Sequence, residues 1–159
     1  MAAAVALDLL HEPSLALKFS TTVFTYHSVP RAAEVCPHAE MNLAAGSAVL
    51  QTVKYAQQCV AVSEVAEDRV VGYAFQFAAW ALENELAKAK TIAKPFNTAM
   101  AELGTAPLSW QFVGLKKAMG EFKHPKSKKL ITVFNALELS DPHERQKKTM
   151  EALRLVAGG

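Results

Sequence analysis

Cysteine is scarce in this chain, which has only Cys36 and Cys59 among its 159 residues. Small secreted domains that rely on disulfides carry several cysteines at regular spacing, so this class of protein is excluded. Two isolated cysteines are more typical of reduced thiols inside an intracellular protein. We therefore expect two reduced cysteines and an intracellular location, without a particular compartment.

The sequence also lacks a hydrophobic run long enough to cross a membrane. Its most apolar stretch, residues 70–82, would extend about 20 Å as a helix, whereas the hydrocarbon core of a bilayer is roughly 30 Å thick. Arg69 and Glu83 flank this stretch. The N-terminal residues include Asp8 and Glu12 but no basic cluster before an apolar run. We therefore expect neither a transmembrane span nor a secretory or mitochondrial presequence.

Recognisable catalytic motifs are missing as well. The chain has no glycine-rich phosphate loop and no Gly-x-Ser-x-Gly sequence. His38-Ala39-Glu40 matches half of the zinc deaminase signature, but the Pro-Cys-x-x-Cys half is absent. Cys36, His38 and Cys59 offer one closely spaced pair, whereas a zinc site usually draws on two. We expect no catalytic residue, no metal and no cofactor, and nothing argues positively for an enzyme.

Apolar residues are abundant, at 51% of the chain, and charged residues make up 20%. This composition supports a packed core, and the length fits one domain over residues 1–159. The formal net charge is +2, but it is unevenly distributed. Residues 1–103 carry more acidic than basic side chains, and residues 104–159 carry more basic ones. We predict an acidic helical body followed by a basic helical C-terminal part.

Apolar residues recur mostly at three- and four-residue steps, which predicts an all-α fold. The expected architecture is a single-domain bundle of about five to seven helices around a central apolar helix over residues 64–94. One long helix should run from Pro37 to Val60, and Pro95 should kink or end the central helix. Further helices are predicted over 2–11, 96–102, 109–119 and 128–139, and a last helix should be capped by Asp141. Residues 14–26 have strand-like composition, but a lone strand would have no partner, so a helix is preferred.

The central helix should be covered on two sides at once. On a helical projection, one bulky stripe consists of Val71, Phe75, Leu82 and Leu86, and another on nearly the opposite face consists of Tyr73, Phe77 and Trp80. A polar strip is formed by Gly72, Gln76 and Glu83. Small alanines lie between the two stripes and allow a neighbouring backbone to come close. If the chain's own helices cover only one stripe, the other is an interface.

We therefore expect a non-catalytic structural or interaction subunit of a larger protein assembly. Its partners would be other protein chains, either copies of itself or different proteins. The residues expected at the interface are the large aromatic ones of the central helix and of the segment after it, namely Tyr73, Phe77, Trp80, Trp110 and Phe112.

Two other functions remain open. A lysine-rich stretch could bind nucleic acid or another anionic partner, as in a packaging or ribonucleoprotein helical protein. The residues of this lysine cluster are Lys116, Lys117, Lys123, Lys126, Lys128 and Lys129. The cluster contains no arginine, which weakens the case for bidentate phosphate recognition. Alternatively, the apolar helix could line a pocket, which would make the protein a carrier of a small apolar ligand.

Overall fold

The computed structural model describes residues 31–46 and 49–158. Within these ranges the chain forms seven helices and no strand. The helices are α1 (Ala32–Ala45), α2 (Val49–Val62), α3 (Ala66–Leu82), α4 (Leu86–Leu103), α5 (Val113–Glu121), α6 (Ser127–Leu137) and α7 (Pro142–Gly158). The predicted all-α, single-domain helical bundle is confirmed. The segments 2–11 and 14–26 lie outside the described residues.

Helix α3 lies at the centre of the bundle and contacts α1, α2, α4 and α6. Between Val70 and Ala81, only Tyr73 and Trp80 keep appreciable exposure. Phe75 and Phe77 belong to the two opposite stripes, and both are fully buried. A helix that is apolar almost all round needs neighbours on several sides, and here helices of the same chain supply them.

The central helix is shorter than the predicted range 64–94, because the chain reverses at Asn84. This residue has a φ of 60°, a left-handed conformation that Asn tolerates better than most residues. The Glu85 N–H donates to the Trp80 carbonyl at 2.9 Å and closes the turn. Helix α4 then packs back along α3.

Pro95 lies inside α4 and does not end a helix, so residues 96–102 do not form the separate helix that was predicted, while a kink at Pro95 stays a prediction. Proline removes one helical hydrogen bond and clashes with the preceding turn. The residues just after it, Phe96 and Met100, are buried, and α4 packs against both α3 and α7. We attribute the continuation of the helix to this packing. The helix ends at Gly104, as expected, where φ is 58°.

The single helix predicted from Pro37 to Val60 is in fact two helices, α1 and α2, which pack against each other. Gly46 ends α1 with a φ of 69°, and its N–H donates to the Leu43 carbonyl. This is a glycine C-cap, a conformation that costs glycine little. Helix α2 buries one face, whereas α1 is buried on all sides from Glu34 to Ala44. The apolar periodicity of the sequence continues across the break and conceals the reversal. Pro37 lies inside α1 and not at its start.

The backbones of α2 and α3 come close together at Gly72. A Cβ atom on this residue would lie 2.7 Å from Val60 Cγ2 and 3.2 Å from the Ala56 carbonyl oxygen. The sequence predicted such an approach at the alanines of the central helix. The structure places this approach at Gly72, on the side that the projection had assigned as polar.

The C-terminal part agrees with the sequence in most respects. Helix α6 begins and ends within two residues of the predicted range, and Asp141 caps α7 by accepting the Glu144 N–H at 2.9 Å on Oδ1. The helix predicted over 109–119 begins only at Val113, because residues 107–112 adopt no regular structure. Among the described helices, none has the length and apolarity needed to span a bilayer.

Candidate functional site

Residues 104–112 run between α4 and α5 without forming a helix, and Arg145 fixes the start of this segment. The Arg145 side chain is 3% exposed and donates to the carbonyls of Gly104 and Ala106, both at 3.2 Å. Burial lowers the pKa of Arg145, while the negative charges of Asp141 and Glu67 act in the opposite direction. This buried cation therefore satisfies backbone carbonyls that would otherwise lack donors.

Two carboxylates fix the other end of the segment. Glu67 Oε1 accepts the Trp110 N–H at 2.7 Å and the Ser109 hydroxyl at 2.9 Å. Glu138 Oε1 accepts the Phe112 N–H at 3.0 Å, and its other oxygen pairs with Lys116 Nζ at 2.6 Å. These bonds hold the backbone of residues 109–112 outside a helix, which explains the late start of α5. Both carboxylates are thus engaged in positioning the backbone.

The five residues predicted at a partner interface do not form one surface. Phe77 and Phe112 are fully buried, and Phe112 packs against Phe134 with ring centroids 4.9 Å apart. These two side chains offer no surface to a partner in this structure. Tyr73, Trp80 and Trp110 are half-buried, so their part in an interface stays a prediction.

Two of these half-buried aromatic residues have partners within the chain. Lys88 Nζ lies 4.5 Å from the centroid of the Trp80 ring. Trp110 Nε1 donates to Glu40 Oε2 at 2.9 Å, which links the 104–112 segment to α1. The Glu40 side chain is buried.

The lysine cluster divides into two groups. Lys116 pairs with Glu138, and Lys126 Nζ donates to the Val156 carbonyl at 2.9 Å near the end of α7. A lysine at this end is also favoured by the negative pole of the helix dipole. The other four members, Lys117, Lys123, Lys128 and Lys129, are exposed to solvent. Binding of nucleic acid by these four stays a prediction.

His38 and Glu40, the half-motif of the zinc deaminases, lie within α1 and are both buried. Burial lowers the pKa of His38 to about 4, so the imidazole is neutral at neutral pH. Its ring meets the edge of the Tyr55 ring, with centroids 4.3 Å apart. Across the ranges that the structure describes, no three His, Cys, Asp or Glu side chains are grouped to hold a metal ion.

Cys36 on α1 and Cys59 on α2 form a disulfide, so the prediction of two reduced thiols is wrong. The reversal at Gly46 places the two residues opposite each other on packed helices, with Cα atoms 4.9 Å apart. This separation lies in the usual range for disulfides. Both residues are 0% exposed. Disulfides persist mainly in oxidising compartments, so the cysteines no longer support a reducing intracellular location.

Exposed leucines flank a groove between α6 and α7, which we call the α6–α7 groove. Leu139 is 39% exposed and Leu155 is 62% exposed, while Ala136 and Ala152 are buried. The groove has a volume of about 400 Å³ and is lined by Thr132, Asn135, Ala136 and Leu139 on one side and by Lys148, Glu151, Ala152 and Leu155 on the other. Lys148 and Glu151 form an ion pair at 3.6 Å, so the groove carries no net charge.

The sequence did not predict this groove. Leu155 is exposed although it is adjacent to the buried Val156 on α7, and an apolar residue outside the buried face of a helix is the signal that could have indicated the groove.

No family model, no curated protein and no solved structure matches this chain.

Proposed function

We propose that this protein is a non-catalytic interaction subunit that docks an amphipathic helix of another protein chain in the α6–α7 groove. The observation that carries the proposal is the exposure of Leu139 and Leu155 on either side of buried alanines. Burying a leucine side chain completely is worth about 1.5–3 kcal/mol, so covering both leucines would contribute substantially to binding. Exposed apolar residues that flank a groove are a common feature of protein interfaces.

The spacing of the lining residues favours a helix as the occupant. Each wall is built from residues at positions i, i+3, i+4 and i+7. On α7 these residues cover two helical turns and about 10 Å, while on the other wall Leu139 lies two residues beyond Leu137, the end of α6. Two turns of a partner helix match this length and present apolar side chains at the same spacing. Ala136 and Ala152 permit a close approach between the helices. Because Lys148 and Glu151 pair with each other, the groove favours a partner helix whose docking face has no strong net charge.

The use of polar side chains within the fold also supports a role without catalysis. Arg145, Glu67 and Glu138 all bond to backbone groups of the 104–112 segment. Acid–base catalysis requires a titratable group within reach of a substrate, in an accessible cleft. The α6–α7 groove presents leucine and alanine at its centre, which suits recognition of an apolar stripe.

The test is site-specific photocrosslinking in an extract of the cells that produce the protein. A photoreactive amino acid replaces Lys148 or Thr132, both of which line the groove, and the crosslinked peptides are sequenced by mass spectrometry. We expect the crosslinks to map to a single helical segment with apolar residues at positions i, i+3, i+4 and i+7. A synthetic peptide of that segment should bind the purified protein.

Leu50 provides a matched control, because it is 57% exposed but lies on α2, away from the groove. Peptide binding should be lost in Leu155→Asp and retained in Leu50→Asp. Equal binding by both variants would overturn the proposal, as would crosslinks scattered over unrelated surfaces. A crosslink to a second copy of this chain, with dimers in sedimentation that Leu155→Asp dissolves, would show that the groove serves self-association and overturn the assignment to a different chain.

A further inference from the structure

A second recess lies on the other side of α7, between this helix and α4, and has a volume of about 290 Å³. The fully buried Phe77 lies beneath it, Ala93 of α4 forms one wall, and Met150 and Leu153 of α7 form the other. These four side chains are apolar. Farther along the same two helices, the Asn97–Gln146 hydrogen bond at 2.8 Å holds α4 and α7 together.

Among the residues that the structure describes, two cations, Lys90 and Arg154, are the only charged residues that line this α4–α7 recess. Within the described part of the chain, neither forms an ion pair with a carboxylate. On α7, the acidic residue nearest to Arg154 is Glu151, which pairs with Lys148. On α4, Lys88 lies within ion-pair distance of Glu85, whereas Lys90 does not. Two exposed cations without carboxylate partners therefore flank an apolar recess.

The nearby end of α7 does not engage these cations either. A helix C-terminus attracts positive charge, and Lys126 already donates to the Val156 carbonyl there. No hydrogen bond joins Lys90 or Arg154 to another group in the described ranges. Their charges are thus available to a ligand that brings its own anion.

We propose that the α4–α7 recess binds a single-chain anionic amphiphile, with its alkyl tail between α4 and α7 and its carboxylate head on Lys90 and Arg154. Ligand sites typically combine an apolar lining with a few polar groups that orient the ligand, and this recess has both. Arginine suits a carboxylate head because its donors form a planar fork. The inference does not rest on the function proposed for the α6–α7 groove, which lies on a different face of α7.

The volume of the recess guides the choice of probe. Taking about 30 Å³ per methylene group, roughly the volume of a water molecule in the liquid, a ten-carbon tail has about the volume of the recess, which is open to solvent. Decanoate is therefore the appropriate probe.

Calorimetric titration of the full chain with decanoate, below its micellar concentration, tests the proposal. We expect saturable binding of one decanoate per chain, with weaker binding of decanol and none of decyltrimethylammonium, which has the same tail and a positive head. The double variant Lys90→Met, Arg154→Met should lower the affinity for decanoate roughly tenfold or more and leave decanol binding unchanged. The control variant Lys94→Met, Lys147→Met also removes two exposed lysine charges but leaves both residues of the recess intact.

Equal affinity for decanoate and decyltrimethylammonium would overturn the proposal, because the cations would then have no role. Unchanged decanoate affinity in the Lys90→Met, Arg154→Met variant, or the absence of saturable binding, would overturn it as well. The variant Leu139→Asp should no longer bind the partner helix in the α6–α7 groove but should still bind decanoate in the α4–α7 recess. The two proposals therefore fail separately.

Discussion

The Cys36–Cys59 disulfide gives the sharpest test of this fold, because it joins α1 to α2 across a separation of 23 residues. Such a crosslink lowers the conformational entropy of the unfolded chain. For a loop of this length the effect adds about 3 kcal/mol to the free energy of unfolding. Removing it should lower the free energy of unfolding by this amount. In urea, with a slope of about 2 kcal/mol per molar, the midpoint should fall by about 1.5 M.

Urea unfolding followed by circular dichroism measures this loss in the variant Cys36→Ala, Cys59→Ala. The wild-type protein, unfolded, reduced and refolded in the presence of a reductant, is the matched control. It keeps both sulfur atoms, so its difference from the oxidised protein isolates the crosslink from the loss of side-chain packing. We expect the reduced protein and the double variant to lie within about 1 kcal/mol of each other.

Burial adds a kinetic consequence. Both cysteines are 0% exposed, so a reductant reaches the sulfur atoms only when the chain opens. Reduction of the native protein should therefore proceed no faster than local or global unfolding. A free energy of unfolding that is the same with and without the disulfide would refute the reasoning, and so would rapid reduction under native conditions.

Three further predictions test packing and electrostatics. Gly72→Ala should lower the free energy of unfolding by about 1 kcal/mol or more, because its Cβ would lie 2.7 Å from Val60 Cγ2. Gly120→Ala, whose Cβ meets nothing within 4 Å, should raise the free energy of unfolding by up to about 1 kcal/mol. If the two variants shifted the urea midpoint in the same direction, the close approach of α2 and α3 at Gly72 would be contradicted. Arg145→Met should cost about 2–3 kcal/mol and speed hydrogen exchange over residues 104–112, since it removes the donor to two carbonyls. Burial lowers the pKa of His38 from 6.5 to about 4, so the unfolded chain takes up a proton before the folded chain does as the pH falls. Protonation of His38 should therefore lower the free energy of unfolding by up to about 3 kcal/mol between the unfolded and the folded pKa. Denaturation across this pH range should show a smaller loss in His38→Gln, and an NMR titration that places the pKa of His38 above about 6 would contradict the assignment.

Much of the helical content was predictable because helices depend on interactions between residues close in sequence. The apolar residues of 70–82 identified the central helix, since almost every face of it is buried. Asp141 was recognised as the cap of α7 because its partner, the Glu144 N–H, is three residues away. Gly104 was read as a stop for a similar local reason.

Reversals of the chain were harder to predict. Apolar periodicity is the same on both sides of Gly46, so it does not reveal whether the next turn continues the helix or folds back. The same difficulty hid the turn at Asn84, where α3 and α4 were read as one helix. Pro95 produced the opposite error, because packing on α3 and α7 keeps α4 continuous where local preference would end it.

The amino-acid pattern alone specifies an all-α domain with a central apolar helix, because the periodicity of side chains and the capping of helix ends depend on residues within one or two helical turns. Which distant residues meet depends on tertiary packing. It brings Cys36 to Cys59, and it joins Trp110 to Glu67, 43 residues away. It also leaves the leucines of the α6–α7 groove exposed and the cations Lys90 and Arg154 beside an apolar recess. These contacts depend on how whole helices pack against each other, which no local pattern specifies.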